Sequence, residues 1–272
     1  GYATVARPGG MDNIEGITVE ARTTFGGGDT PDDEDNSGVL RYVSIRHGGA
    51  ALAPGDEING LTLGGVGSGT EIDYIEVFAN LDDGIEWFGG TVNVKHAAVA
   101  FCGDDSFDYD FGYRGLGQYW FSLQSPEFST GRAGEHDGAS PDNQAPFSQP
   151  TIYNATYIGI GNGETGSGGD ADDFGILVRD NGGGFYNNSI FTGFPAIGLA
   201  VEDRDTESSF ERLQAGDLAF ANNTWFDFGA GATAAALFKA VDQNEVEVAS
   251  SSTVAANLTA NANTFANPSL AG

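Results

Sequence analysis

The sequence of 272 residues predicts an all-β fold, a right-handed parallel β-helix with long corner loops. Equivalent apolar residues of three short strands, Leu61, Ile85 and Phe107, follow one another at steps of 24 and 22 residues. These steps are too long for a hairpin repeat and too short for a strand–helix–strand unit, but they match one coil of a solenoid. The 42 glycines and the shortage of Ala, Leu, Glu and Lys tracts at helical spacing exclude an all-helical fold.

Residues 1–37 are predicted to form an irregular N-terminal segment and an acidic loop. Residues 14–19 make one candidate strand, and three glycines at 26–28 precede the turn-rich phrase PDDEDNS at 31–37. A loop of this composition is either a solvated excursion or a metal-binding loop. The sequence leaves both interpretations open.

Residues 38–229 are predicted to be the coils of the β-helix, built from two alternating kinds of strand. The A-row strands alternate apolar with polar or small residues, which buries one face and exposes the other. The A row is predicted at residues 39–45, 71–77, 92–99, 152–160, 185–194 and 218–228. The B row is predicted at residues 58–63, 84–88, 106–110, 174–179 and 196–201. Residues 125–150 carry four prolines and are predicted to leave the solenoid as an excursion loop.

Residues 230–272 are predicted to be a capping or irregular segment. A short helix at 232–242 would shield the open end of the solenoid, because an unpaired last coil invites association between sheet edges. Within the coils, paired asparagines at 187–188 and 222–223 indicate a hydrogen-bonded ladder between equivalent corners.

The aromatic residues near the middle of the chain have two interpretations. Seven aromatic residues lie among the acids of this region and could form a face that stacks sugar rings: Trp87, Phe88, Tyr109, Phe111, Tyr113, Tyr119 and Trp120. They could equally stack on one another inside the solenoid, and the core interpretation is favoured.

Composition narrows the classes of partner. The formal charge of −28 would repel nucleic acid and an anionic membrane surface, and no stretch has the roughly 20 apolar residues of a membrane span. Cys102 is the single cysteine, which excludes an internal disulfide and fits a packed thiol. The first residue is Gly1, so we expect a processed or incomplete part of a longer exported precursor.

Acidic pairs stand just before three predicted B-row strands, at residues 82–83, 104–105 and 172–173. Because coils stack at about 4.8 Å, the first two pairs should form a file of neighbouring carboxylates. A bare file of this kind is costly, so it must be relieved by protons, backbone N–H groups, basic side chains or a cation.

Three roles remain open for these carboxylates: a calcium site, hydrogen-bonded turn caps, or catalysis. Calcium prefers flexible sites with several carboxylate oxygens. The predicted calcium ligands are Asp82, Asp83, Asp104, Asp105, Asp108 and Asp110.

The run at 80–111 resembles the polygalacturonase family of right-handed β-helix glycoside hydrolases. That family has an Asn-x-Asp-Gly-Ile-Asp phrase, which DGIE at 83–86 matches, and a Gly-Asp-Asp phrase one coil later, which 103–105 match. The resemblance implies that Asp83, Asp104 and Asp105 serve an inverting hydrolysis, one as general acid and the others in activating water. The family's Gly-His-Gly and Arg-x-Lys coils have no counterpart downstream.

A wider stretch, with the phrases NSGVLRYVSIRHGG and DDGIEWFGGTVNVKH, is similar to exported, pectin-lyase-like β-helix proteins and lipoproteins of bacterial cell surfaces. This resemblance implies a secreted or outer-surface location. We therefore predict a non-catalytic structural or binding protein, stabilised by calcium. Its expected partners are other proteins of a surface assembly or an extracellular glycan, and it could form an oligomer. The alternative is a polysaccharide-degrading hydrolase of polygalacturonase type.

Overall fold

A computed structural model describes residues 1–52, 58–128, 130–167 and 174–270, and its architecture is a parallel β-helix. The predicted all-β solenoid is therefore confirmed. The strands are β1 (Asp12–Asn13), β2 (Thr24–Phe25), β3 (Val39–Arg46), β4 (Leu61–Gly64), β5 (Glu71–Phe78), β6 (Ile85–Phe88), β7 (Asn93–Ala100), β8 (Phe107–Asp110), β9 (Leu116–Leu123), β10 (Gly134–Asp137), β11 (Thr151–Tyr153), β12 (Thr156–Ile158), β13 (Phe174–Arg179), β14 (Gly184–Asn187), β15 (Ile190–Phe194), β16 (Ile197–Glu202), β17 (Leu218–Ala221), β18 (Thr224–Phe228) and β19 (Phe238–Val241). The α-helices are α1 (Ser209–Ala215), α2 (Ala234–Leu237) and α3 (Ser251–Ala260).

Two parallel sheets build the coils. The A-row sheet contains β3, β5, β7 and β9, followed by the paired half-strands β11 and β12, β14 and β15, and β17 and β18. The B-row sheet runs in the order β4, β6, β8, β10, β13, β16, β19. Leu61 pairs with Ile85, and Ile85 pairs with Phe107, so the repeat in the sequence is the register of the sheet.

The core is a stack of aromatic and branched apolar side chains between the two sheets. Alternation along β6 and β8 turns Ile85, Trp87, Phe107 and Tyr109 inward, where all four are fully buried. The Trp87 and Phe107 rings each lie 4.9 Å from the ring of Trp120 and are nearly parallel to it. The core interpretation is therefore confirmed for the buried residues of the set, but it is wrong for Tyr119, which is 47% exposed.

Each A-row coil bends at one residue in the left-handed region of φ and ψ. Tyr42, Tyr74, His96 and Tyr119 occupy this position in the first four coils, with φ between 51° and 61°. Their rings stack outside the solenoid with centroids 4.3–5.0 Å apart, and this stacking offsets part of the backbone strain. Asparagines take over the position in the later coils, at 154, 188 and 222. Asn188 Nδ2 donates to Asn154 Oδ1 at 2.6 Å, as a ladder of asparagines predicts.

The predicted excursion loop at 125–150 is wrong in its central part. β10 lies there and pairs in parallel with both β8 and β13. Its inward residues are Gly134 and the fully buried His136, so the apolar alternation that marks the other strands is missing. A Cβ at Gly134 would come within 2.7 Å of the His136 ring, which shows how one small residue makes room for the histidine.

Two local predictions near the termini also fail. Residues 14–19 contain no strand; the short antiparallel pair β1 and β2 flanks them instead. The helix predicted at 232–242 is only α2, followed by β19, because Phe238 and Ala240 alternate inward. The helix that covers the last coil is α3, through its buried residues Val254 and Leu258.

Candidate functional site: an acidic groove on the B-row sheet

The outer face of the B-row sheet carries a row of carboxylates. Glu86 on β6 pairs with Asp108 on β8, which pairs with Glu135 on β10, so the three side chains leave adjacent strands in register. The inward neighbours of Glu86 and Asp108 are apolar or aromatic and those of Glu135 are Gly134 and His136, so the period of two turns all three acids outward. Like charges directly opposite one another on neighbouring strands are unfavourable unless something offsets them.

The corner before each B-row strand adds the predicted acidic pairs. The backbone N–H of Asp105 donates to Asp83 Oδ1 at 2.9 Å, and the backbone N–H of Arg132 donates to Asp105 Oδ1. Each of these carboxylates therefore caps the turn of the next coil with one oxygen. The predicted stacking of the first two pairs is confirmed, and the pair at 172–173 lies outside the described residues.

Two adjoining cavities run along this face, and together they are called here the acidic groove. The first, of about 250 Å³, is lined by Glu15, Asn59, Asp82, Asp83, Glu86, Asp104, Asp105, Asp108 and Glu135. The second, of about 390 Å³, is lined by Asp12, Asn13, Glu15, Glu86, Phe88, Asp108, Asp110, Phe111, Asp137 and Arg179. Glu15, between β1 and β2, forms part of the wall of both.

Two sets of three carboxylates in the groove are close enough to share a cation. Oxygens of Asp82, Asp83 and Asp104 lie within 4.8 Å of one another, and so do oxygens of Asp83, Glu86 and Asp108. Oδ1 of Asp108 is buried and accepts no hydrogen bond from the part of the chain that the structure describes. Glu86 Oε2 accepts from Asn59 Nδ2.

The arginines near the groove form ion pairs with the acids of β10, Glu135 and Asp137. Arg132 is buried and binds Glu135 and, at 2.8 Å, Glu245. Arg179 contacts Glu135 at 2.7 Å and Asp137 at 2.9 Å. Among the described residues that line the first cavity there is no lysine or arginine.

Burial and mutual repulsion raise the pKa values of the groove acids. Burial contributes most for Asp83, whose pKa is raised further by the carboxylates of Asp104 and Asp82. The pKa of Glu86 and that of Asp108 are raised in the same way, by burial first and then by neighbouring carboxylates. Burial also raises the pKa of Asp110, to about 7. The folded groove therefore takes up protons readily or requires another positive charge.

The structure gathers most of the residues that the sequence singled out. Asp82, Asp83, Asp104, Asp105 and Asp108 all line the first cavity, including the three aspartates implied by the polygalacturonase resemblance. The sixth predicted ligand, residue 110, lines the second cavity instead. The sequence prediction missed the groove residues Glu15, Asn59, Glu86 and Glu135. Alignment of the coils would have identified Glu86, since it is the register partner of Asp108.

Fold and groove together place the chain among parallel β-helix proteins with an acidic outer face. A family model described as the pectate-lyase-like β-helix domain matches residues 4–268, and the chain belongs to this family. The match points to a carbohydrate-related role. No curated protein and no solved structure gives a significant match to the chain. In the described part of the chain, no helix is both long enough and apolar enough to cross a bilayer.

Proposed function

We propose that the acidic groove binds Ca²⁺ and, through the ion, an acidic extracellular glycan, without cleaving it. The observation that carries the proposal is the convergence of Asp83, Glu86 and Asp108 within 4.8 Å in a cavity whose described lining has no basic side chain. Three carboxylates at this separation repel one another strongly when ionised. A divalent cation removes that repulsion and holds the groove in one geometry.

The donor set supports calcium. All candidate ligand atoms are oxygens, and Asp108 Oδ1 is a buried acceptor that has no donor in the described chain. Asp83 uses Oδ1 as a turn cap, which leaves Oδ2 for a cation. Calcium accepts six to eight oxygens in irregular geometry, whereas zinc favours nitrogen and sulfur ligands and magnesium requires a near-ideal octahedron. The remaining positions would be filled by water or by glycan oxygens.

Charge explains why the cation would select the glycan. A polyuronate approaching a chain with a formal charge of −28 is repelled, unless bound calcium reverses the local field. The carbohydrate-related family supports a sugar polymer as the ligand. Weak calcium sites are common in extracellular modules, so we also propose a secreted or outer-surface location. Assembly with other surface proteins, or into an oligomer, belongs to the same proposal.

Calcium binding is tested by thermal melting and calorimetric titration, with EGTA and with millimolar CaCl₂. We expect calcium to raise the Tm of the unmodified protein by several degrees, because an ion that binds only the folded state stabilises that state. Asp108→Asn should lose most of this response. Asp205→Asn, at an exposed position away from the groove, is the matched control and should keep it. An unchanged Tm in calcium would remove the proposal.

Glycan binding is tested by co-sedimentation with polygalacturonate. The protein should sediment with the polymer in calcium and stay in solution in EGTA. Binding that is equal in both conditions would contradict a bridging ion.

The second candidate function is hydrolysis by Asp83, Asp104 and Asp105. The raised pKa values of Asp83 and Asp105, caused first by burial, favour it because a general acid must hold its proton. Against it, one oxygen of each of these two carboxylates already accepts a backbone hydrogen bond. We expect no release of reducing sugars from polygalacturonate. Release that Asp104→Asn abolishes would establish the hydrolase instead.

A further inference from the structure

A separate pocket of about 320 Å³ opens at the corner just before the acidic groove. It is called here the corner pocket, and the residues that line it include His47, Gly48, Asn80, Leu81, Phe101 and Phe128. The described lining contains no aspartate, glutamate, lysine or arginine. Its chemistry is therefore apolar, in contrast to the groove beside it.

The aromatic wall of the corner pocket is held in place from behind. The Phe101 and Phe128 rings stack with centroids 5.2 Å apart, and the Phe78 ring meets Phe101 edge-on at 5.4 Å. Phe128 is 44% exposed and Leu81 is 74% exposed, so apolar surface remains at the rim. Ordered rings with an open face are the usual contact surface for the C–H face of a sugar.

Among the described residues of the pocket wall, Asn80 supplies a buried side-chain acceptor. Asn80 is 2% exposed, and its Nδ2 donates to the backbone oxygens of Ile58 at 3.1 Å and Asp83 at 2.8 Å. Because both partners are carbonyls, the orientation of the amide is fixed and Oδ1 is the remaining atom. Oδ1 has no hydrogen-bond partner among the described residues. It lies against Gly48, where an added Cβ would come within 2.6 Å of it.

We propose that the corner pocket binds an N-acetylated amino sugar of the glycan. The acetamido N–H supplies the donor that Asn80 Oδ1 lacks, and the acetyl methyl and the sugar ring cover the apolar wall. A charged amine would leave two of its donors in contact with apolar side chains, and an anionic sugar would meet the neighbouring carboxylates. A volume of about 320 Å³ is at the small end of ligand pockets, which fits one ring.

The pocket and the groove share one corner of the solenoid. Asp82 and Asp83 follow Leu81 directly in the chain, so the two sites border each other. The choice of a sugar ligand rests on the proposed glycan-binding function, but the pocket uses none of the calcium ligands. The inferred glycan thus contains an acidic sugar for the cation beside an N-acetylated sugar for the pocket.

Saturation-transfer NMR and titration in EGTA test the pocket with three methyl glycosides: those of N-acetylglucosamine, glucosamine and glucose. We expect the strongest saturation on the acetyl methyl protons of the first probe. The other two should bind at least about tenfold more weakly, since a donor to a buried acceptor or an apolar contact is lost. Phe128→Ala and Leu81→Ser should each weaken the first probe several-fold. Tyr153→Ala, at an exposed aromatic outside the pocket, should not.

The outcomes separate this inference from the proposed function. Equal binding of the three probes, preference for glucosamine, or binding that survives both Phe128→Ala and Leu81→Ser would overturn the pocket assignment. Asp108→Asn should lose most of the calcium response and leave the N-acetylglucosamine probe bound. If calcium never binds but the probe does, the cation proposal fails and the pocket assignment stands.

Discussion

The outer faces of the A-row and B-row sheets repeat at the same coil step, but they differ in how their acidic side chains are paired. On the A-row face each stacked acid has a partner of another kind: Arg41 contacts Glu71 at 2.9 Å, Arg46 contacts Glu76 at 2.5 Å, and His96 Nδ1 lies 2.7 Å from Asp73. On the B-row face, Glu86, Asp108 and Glu135 follow one another, and the arginine contacts described above belong to Glu135. The described lining of the first cavity, which includes all three acids, has no basic side chain.

The contrast shows that the acidic groove is not a simple consequence of an acidic composition. The same chain pairs its acids with basic side chains on one face, and on the other it sets Glu86 beside Asp108 and places the arginines only at the next strand. Stacking makes either pattern easy to build, because equivalent positions repeat at about 4.8 Å. A face that repeats unbalanced carboxylates loses stability, and binding of a cation would offset that loss.

The largest expected loss of stability comes from replacing Arg132, the buried arginine at the edge of the groove. Arg132→Met would leave Glu135 without one of its two arginine partners among other carboxylates, and should lower the free energy of unfolding by about 3–5 kcal/mol. The matched change on the A-row face, Arg41→Met, removes a half-exposed partner and should cost less than about 1 kcal/mol. Urea unfolding measures both. Equal losses would show that the two faces do not differ.

The pH dependence should have opposite signs on the two faces. Burial raises the pKa of Asp110 to about 7, so its stabilising protonated form is complete below pH 4 and lost as the pH rises toward 7. Asp110→Asn should therefore gain about 1–3 kcal/mol relative to the unmodified protein between pH 4 and 7.5 in EGTA. The measurement is urea unfolding at several pH values.

Glu76 supplies the contrasting case for this prediction. Hydrogen bonds from Ser44 and Arg46 lower the pKa of Glu76, so its contribution is present above the ordinary carboxyl pKa near 4.5 and is lost as the pH falls. Glu76→Gln should be slightly less stable than the unmodified protein at pH 7 and equal to it in acid. A change in the same direction for Glu76→Gln and Asp110→Asn would show that the two faces do not differ in their pH dependence.

A paired aspartate and an unpaired one should respond oppositely to loss of charge. In EGTA, Asp108→Asn removes repulsion and should raise the free energy of unfolding by about 1 kcal/mol. Asp73→Asn removes a partner of His96 and Arg41 and should lower it by about 1 kcal/mol. Differential melting in EGTA checks the signs, and destabilisation by Asp108→Asn would count against a repulsive groove.

The smallest effect concerns the ladder of rings on the A-row face. Tyr74 stacks on both Tyr42 and His96, whereas Tyr74 is the one ring among the described residues on which Tyr42 stacks. Tyr74→Ala should therefore cost about 0.5–1 kcal/mol more than Tyr42→Ala, the value of one exposed stack. Chemical denaturation of the two variants measures this difference. Equal losses in the free energy of unfolding would mean that the stacked rings do not stabilise the fold.

The fold was readable in the sequence wherever apolar side chains alternate at coil spacing. Residues 85–88 and 107–110 show this pattern, and β6 and β8 lie there. β10 was missed because a glycine and a buried histidine take its inward positions. Burial lowers the pKa of His136 to about 3, so the buried imidazole is neutral. Its Nε2 lies 2.9 Å from the hydroxyl oxygen of Tyr186, at hydrogen-bond distance.

The site was predictable where acids stand in adjacent pairs or alternate along a predicted strand, as at residues 108 and 110. The adjacent pairs identified Asp83 and Asp105. Glu86 was missed because it lies alone in the apolar strand β6, and Glu135 because β10 itself was not predicted. Glu15 reaches the groove from the N-terminal hairpin, a contact between distant parts of the chain that local patterns cannot reveal. The unpaired oxygen of Asp108 likewise depends on three-dimensional packing.

Diffraction from crystals grown in EGTA and then soaked in CaCl₂ would show whether the groove binds calcium. We expect a new density peak, with calcium's anomalous signal, between the carboxylates of Asp83, Glu86 and Asp108 at about 2.3–2.6 Å from their oxygens, the usual calcium–oxygen distance. A groove that stays free of such a peak in millimolar calcium, with the carboxylates unmoved, would contradict calcium binding by the groove.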